Sequence, residues 1–209
     1  MTAHIPCTSN ISPFMTETLY WIAASLILLT TIGLLLSHDW RWSLGILAIQ
    51  YLGSFWLVHS NWSISMAAVK LVAGWMVCAI LGSAIFSSHE HPTSETSWPQ
   101  GGLFRFLVGS LIALITFPLA QNAATWLNLN PALAWGSLLL MGMGLLQLGI
   151  TSRPLRVIIG LLTFLSGFEI IYSAVESSSL IAALLAVVNL CLALAGAYLL
   201  NVNVGEISK

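Results

Sequence analysis

Seven stretches of this chain are each long and apolar enough to cross a bilayer, and the segments joining them are mostly too short to form anything else. A helix needs about 20 mostly apolar residues to cover roughly 30 Å of hydrocarbon. Thr16–Leu36, Trp42–His59, Ser63–Phe86, Leu103–Leu127, Pro131–Ile150, Leu155–Val175 and Ser178–Leu200 meet that need. The runs are continuous rather than alternating, which favours helices over the strands of a membrane barrel. Charge content points the same way. Only 6% of the 209 residues are Asp, Glu, Lys or Arg, whereas a soluble domain carries about a quarter. At 58% hydrophobic residues the chain is too apolar to be disordered. A net charge of −1 with scattered cations leaves no basic patch for nucleic acid.

The expected fold is therefore an all-α polytopic membrane protein of seven transmembrane helices, a single membrane domain whose main partner is the lipid bilayer. Its expected parts are an outer tail at 1–15, spans one to three at 16–86, a polar loop at 87–102, span four at 103–127, spans five to seven at 131–200 and a tail at 201–209. The N-terminus has no Lys or Arg, so it lacks the basic start of a signal peptide, and the first span is expected to be retained. With the N-terminus outside, Arg41, Arg105, Arg153, Arg156 and Lys209 all fall on one face, and the opposite loops carry no cation. Positive loops stay in the cytoplasm, so these residues set the expected orientation: N-terminus outside, C-terminus inside, in a bacterial cytoplasmic (inner) membrane. A re-entrant fourth span would put the two halves in conflict. Pro118 lies inside that span and is expected to kink it.

The spans also look repeated. LYWIAASLILL at Leu19 resembles LAWGSLLLMGM at Leu133, and YLGSFWLVHS at Tyr51 resembles FLSGFEIIYS at Phe164. The offsets, 114 and 113, are nearly constant. Spans one to three and five to seven would then be a parallel three-helix duplication, with span four as connector.

Two charged residues stand inside spans. Lys70 lies roughly 10 Å below the outer surface and Glu169 roughly 9 Å below the same surface, counting 1.5 Å per residue from Ser63 and from Val175. A charge at such depth costs about 2.5–3.5 kcal/mol on insertion scales and usually has a function or a partner. Two readings of Lys70 stay open: it pairs with Glu169 inside the bundle, as an ion pair or a proton-exchanging pair, or its ammonium snorkels to the headgroups. Burial opposes the charged forms of such a pair and mutual attraction favours them, so a neutral and an ionic state could lie close in energy. A structural pair that fixes helix register is the plainer alternative. Gln50, Gln147 and Asn189 are amides within spans, where hydrogen bonding between helices is the usual role. Gly142, Gly144, Gly160, Gly167, Ala193, Gly196 and Ala197 read as helix-contact positions.

Other chemistry finds little support. His89, Glu90 and His91 are spaced wrongly for a metal site and sit in the polar loop, so no metal is expected. The remaining histidines, at 4, 38 and 59, sit at ends or in loops, which argues against haem, and no cofactor is expected. Cys7, Cys78 and Cys191 are far apart and read as buried inert thiols. Asn10-Ile-Ser12 and Asn61-Trp-Ser63 match the glycosylation sequon, which matters only in a eukaryotic source. GxSxG and HExxH motifs are absent, and the expected protein is not an enzyme by itself.

The stretch GLLQLGITSRPLRVIIGLLTFLSGFEIIYSAV followed by AALLAVVNLCLALAGAYLL resembles the small three-helix subunit of respiratory complex I, NuoK (chain 4L). Ile159, Gly160 and Leu161 match that family's IGL element, and Arg153 or Arg156 its cytoplasmic turn. In length and span number the whole chain is similar to the E-type subunit of membrane-bound hydrogenases, which contains a NuoK-like C-terminal half and often a Lys in its third span, where Lys70 would match. The departures concern the proton-relaying carboxylates. The residue directly after the IGL element is Leu162 rather than Glu, Glu169 follows seven residues later, and the last-helix Glu aligns near Asn189. The resemblance implies a non-catalytic subunit of a complex-I-like or hydrogenase-like assembly. It would pack against antiporter-like membrane subunits and contribute Lys70, Glu169, Asn189 and Gln50 to a proton-conducting polar axis. An independent small-solute or ion transporter with a site near Lys70, Glu169 and Asn189, and a membrane assembly or scaffold protein, are the alternatives.

Overall fold

A computed structural model describes residues 13–37, 39–59, 63–87, 101–151, 153–175 and 178–207. Within them the chain forms seven α-helices and no strand: α1 (Pro13–Leu36), α2 (Trp40–His59), α3 (Ile64–Ser87), α4 (Gly102–Leu127), α5 (Pro131–Ile150), α6 (Pro154–Val175) and α7 (Ser179–Ile207). Helices α1 and α3 to α7 are long and apolar enough to cross a membrane, which is the architecture of a polytopic membrane protein. At 26 residues α4 is about 39 Å long and runs unbroken through Pro118, long enough to cross rather than re-enter. The segment expected as a tail from 201 continues α7 as helix to Ile207.

The exception among the seven is α2, which is less apolar than the others. The reason lies in its packing. Its polar residues Ser43, Gln50, Tyr51 and Ser54 are buried, because α2 is wrapped by α1, α3 and α6. A helix that faces other helices can carry polar side chains that lipid would not accept.

Local signals set the helix ends. Asn128 ends α4 in the left-handed conformation, φ 53°, with its N–H donating to the Ala124 carbonyl. Two residues later Asn130 opens α5: its side-chain oxygen accepts from the Ala132 N–H at 2.9 Å, and Pro131 fills the first position, where no N–H is needed.

Contacts between distant elements organise the bundle. Helix α1 packs on α2, α4 and α5; α2 on α3 and α6; α3 on α7; α5 on α4 and α6; and α6 on α7. The closest approach is between α5 and α6. A methyl group added at Gly144 would stand 2.6 Å from the Phe164 nitrogen and 2.7 Å from the Gly160 carbonyl oxygen, and one added at Gly167 would stand 2.6 Å from the Ser137 carbonyl oxygen. These are backbone atoms, which cannot swing aside. Hydrophobicity gives little drive between helices in lipid, so such backbone proximity and the dispersion it allows hold the pair together.

Gly144→Ala or Gly167→Ala should therefore force α5 and α6 apart and lower stability by about 1–3 kcal/mol. Gly149→Ala, which meets nothing within 4 Å, should leave stability unchanged or raised. Thermal unfolding in detergent, followed by loss of helical circular dichroism, separates the two outcomes.

Candidate functional site

Each of three helices turns a buried stripe toward one place. On α3 the stripe is Ala67, Lys70, Gly74, Val77 and Leu81, at helical spacing. On α6 it is Leu162, Ser166, Glu169, Ile170 and Ser173. On α7, most of whose residues face outward, Asn189, Ala193, Gly196 and Leu200 are buried. The single inward charge of α3 therefore meets that of α6, beside the inward amide of α7.

Lys70 Nζ lies 2.7 Å from Glu169 Oε2, and the two side chains are 7% and 6% exposed. Asn189 Nδ2 donates to the other carboxylate oxygen, Oε1, at 2.6 Å. Lys70 also donates to the Ser166 carbonyl oxygen at 3.3 Å, one turn below Glu169 on α6. The ammonium thus turns inward and does not snorkel. Both carboxylate oxygens are engaged, one by a cation and one by a neutral donor, which is how a buried charge is made tolerable. A cavity of about 20 Å³ adjoins the pair, walled by Val58, Met66, Val69, Ala182 and Ala186. That is room for about one water molecule.

Gln50 does not join the pair. Its Nε2 donates to Thr163 Oγ1 at 3.4 Å, nearly two turns of α6 away from Glu169 toward the arginine end. Between the two lie buried polar groups the sequence reading passed over: Tyr51, Ser54 and Ser166. The Tyr51 ring lies flat on Gly74, where any side chain would overlap it. The Tyr51 hydroxyl, Ser54 Oγ, Ser166 Oγ, Gln50 Oε1 and Asn189 Oδ1 are buried without a protein hydrogen-bond partner. Buried polar atoms normally find partners, so this concentration around one ion pair marks a strip suited to hydrogen-bonded guests. The signal was present in the sequence as Thr163, Ser166, Glu169 and Ser173, spaced by three, three and four on α6.

The remaining predicted positions lie elsewhere. Arg105 and Arg156 line a cavity at the far end of the bundle, and Arg153 acts electrostatically on Arg156 there. Arg41 stacks on Trp40, its guanidinium carbon 5.2 Å from the ring centre. Cys78 is half-buried and Cys191 is exposed on α7, so the latter is not the buried thiol expected. Among the described residues no three His, Cys, Asp or Glu side chains gather as a metal site would require. Cys7, His89, Glu90, His91, Lys209 and Asn10 lie outside the described residues, as does Asn61 of the second sequon.

Removing one member of a buried pair strands the other, so Lys70→Met and Glu169→Gln should each destabilise the bundle, Lys70→Met by roughly 3–5 kcal/mol. The double variant should be far milder than the sum of the two. Additive losses in thermal unfolding would show that the two residues are not coupled.

No family model matches the chain, and no curated protein or solved structure matches it significantly.

Proposed function

We propose that the chain is a non-catalytic integral membrane subunit of a complex-I-like or hydrogenase-like respiratory assembly, in which Lys70 and Glu169 exchange a proton. One observation carries the proton part: a buried ammonium–carboxylate pair at 2.7 Å, with water-sized space beside it and a strip of unpartnered hydroxyls and amides leading away. Transfer of one proton from Lys70 to Glu169 turns the ion pair into a neutral hydrogen-bonded pair. Low-dielectric surroundings favour the neutral pair; mutual attraction and the Asn189 donor favour the ionic one. A small displacement of α7, which carries Asn189, would tilt that balance, and a neighbouring subunit packed on α7 could supply it.

The size of the cavity favours protons and water over a solute. About 20 Å³ holds no organic substrate, which disfavours the small-solute transporter. The subunit part of the proposal is supported by the resemblance of the last three spans to NuoK-like chains.

The proposal includes seven crossings, with the N-terminus outside and the C-terminus in the cytoplasm of a bacterial inner membrane. Burial of the polar residues of α2 supports its crossing. Arg105 and Arg156 share one end of the bundle, as the positive-inside rule requires of cytoplasmic residues. A parallel duplication is supported by the pairing of α1 with α5, α2 with α6 and α3 with α7.

Lys70→Arg tests the relay apart from the pair. Arginine keeps the positive charge but does not release its proton, so a structural pair should tolerate it and a relay should not. Mild-detergent purification from the native membrane, with mass spectrometry, should recover antiporter-like or redox subunits in stoichiometric amounts with both wild type and variant. Proton translocation by the variant membranes should fall by about a hundredfold or more, the lower end of the range for loss of a positioned proton-transfer group. Undiminished translocation with Lys70→Arg removes the relay, and recovery of the protein alone removes the subunit reading.

A further inference from the structure

The opposite end of the bundle holds a second built site that the proton relay does not use. Five helices contribute to one small cavity: Leu34 and Leu35 from α1, Ser43 from α2, Arg105 from α4, Gln147 from α5 and Arg156 from α6. Arg156 is held in place from across the bundle, its Nη2 donating to the Ser37 carbonyl at the end of α1 at 2.6 Å. That bond uses one of five guanidinium N–H groups and leaves others to point elsewhere. Arg105 and Arg153 lie near enough to repel Arg156 electrostatically. The arginines Arg41, Arg105, Arg153 and Arg156 all lie at this end, with Asp39 just before α2. Gln147 supplies the independent sign of a ligand. It lines the same cavity, is 7% exposed, and its Nε2 has no acceptor in the protein.

Topology alone does not account for this. The positive-inside rule needs cations in loops or near span ends; it does not need them to converge on a cavity, nor a buried amide donor facing that cavity. A buried donor without an acceptor is costly and invites an acceptor from outside. Converging guanidinium groups and an amide N–H form a donor set for an anion with several oxygens.

We propose that this cavity binds a phosphate group, presented by an anionic phospholipid of the cytoplasmic leaflet. Arg105 and Arg156 hold its charge and Gln147 donates to the oxygen that enters. Depth argues for a headgroup. The cavity holds about 20 Å³, enough for one phosphate oxygen while the rest of the group stays at the mouth. Gln147 lies three residues from the end of α5, roughly 5 Å inside the helix end, so the mouth is level with the lipid phosphates. Basic pockets between helices on the cytoplasmic side are where such headgroups dock. The site joins the ends of α1, α2, α4, α5 and α6, so its occupant would also clamp the bundle.

The test uses the intact protein in detergent, with phosphatidylglycerol, phosphatidylcholine and inorganic phosphate added separately. Native mass spectrometry reads retained lipid and thermal unfolding reads protection. Phosphatidylglycerol should be retained and should protect, at concentrations about fivefold or more below phosphatidylcholine. Arg105→Gln should weaken that retention by about the same factor, and Gln147→Leu, which removes one hydrogen-bond donor, by about fivefold. Arg41→Gln, which alters a cation stacked on Trp40 outside the cavity, should not. Protection by inorganic phosphate at equal concentration would assign the site to a free anion and overturn the lipid as its source. Equal retention of both lipids overturns the proposal, as does an equal loss with Arg41→Gln, which would mean a generic basic surface. If Arg105→Gln does not fold, Gln147→Leu still decides, because it removes a donor and no charge.

Discussion

A charge in hydrocarbon has no water to turn to, and that constraint shapes this bundle. Lys70 and Glu169 sit on helices far apart in sequence, and each would be expensive if left alone. Bringing them to 2.7 Å requires the long Lys70 side chain of α3 to reach across to α6, and the Asn189 bond to the second carboxylate oxygen goes with α7 packed on both. The packing of α3 on α7 goes with it, the narrow stripe Asn189, Ala193, Gly196 and Leu200 being the buried surface of α7 among the residues whose side chains are described. The rest of α7 is free to face lipid or another chain because one amide and three small or apolar contacts suffice to place it.

The close fit of α5 on α6 serves the same end by other means. Backbone atoms touching across Gly144 and Gly167 leave α6 no freedom to rotate, and rotation of α6 would carry Glu169 away from Lys70. The face of α6 that carries Thr163, Ser166 and Glu169 is thereby fixed toward α2 and α3. Small residues on one side of α6 position the polar residues on the other. Helix α2 completes the enclosure: it gives up apolar character to present Gln50, Tyr51 and Ser54 inward, which a lipid-facing helix could not do.

Much of this was legible in the sequence and some was not, for physical reasons. The helices were visible because apolar runs of about 20 residues admit one structure in a membrane. Helix α5 falls on its predicted bounds, and the others differ by a few residues where polar ends fray or continue, as at Ile207 in α7. Lys70 and Glu169 were conspicuous because charge within a span is rare, and their matched depths could be counted from the surface. Tyr51, Ser54 and Ser166 were not, because hydroxyls are common in membrane helices and nothing in their types says which face they occupy. Gln50 was grouped with the pair by polarity alone. Depth separates them, since Thr163, its partner, stands six residues below Glu169 on α6. Convergence of the arginines on one cavity was likewise invisible, since it depends on how five helix ends meet.

The position of that Gln50 bond bears on how such a molecule could arise. In a parallel duplication the two units are related by an axis along the membrane normal, and equivalent residues meet where the axis passes. Gln50 and Thr163 are in contact and are 113 residues apart, the offset of the second pair of aligned segments. The ion pair lies off that axis, and its counterparts at the same offset carry no charge: Ala183 for Lys70, Trp56 for Glu169 and Met76 for Asn189. A symmetric molecule would bury two ion pairs and bear the insertion cost of four charges; this one bears the cost of two. Under the proposed duplication the two halves would therefore share packing but not chemistry, and the polar strip runs from Gln50 and Thr163 toward the ion pair. One-sidedness also places the buried charge where Asn189 of α7 engages the second carboxylate oxygen, which Met76 at the equivalent position could not do.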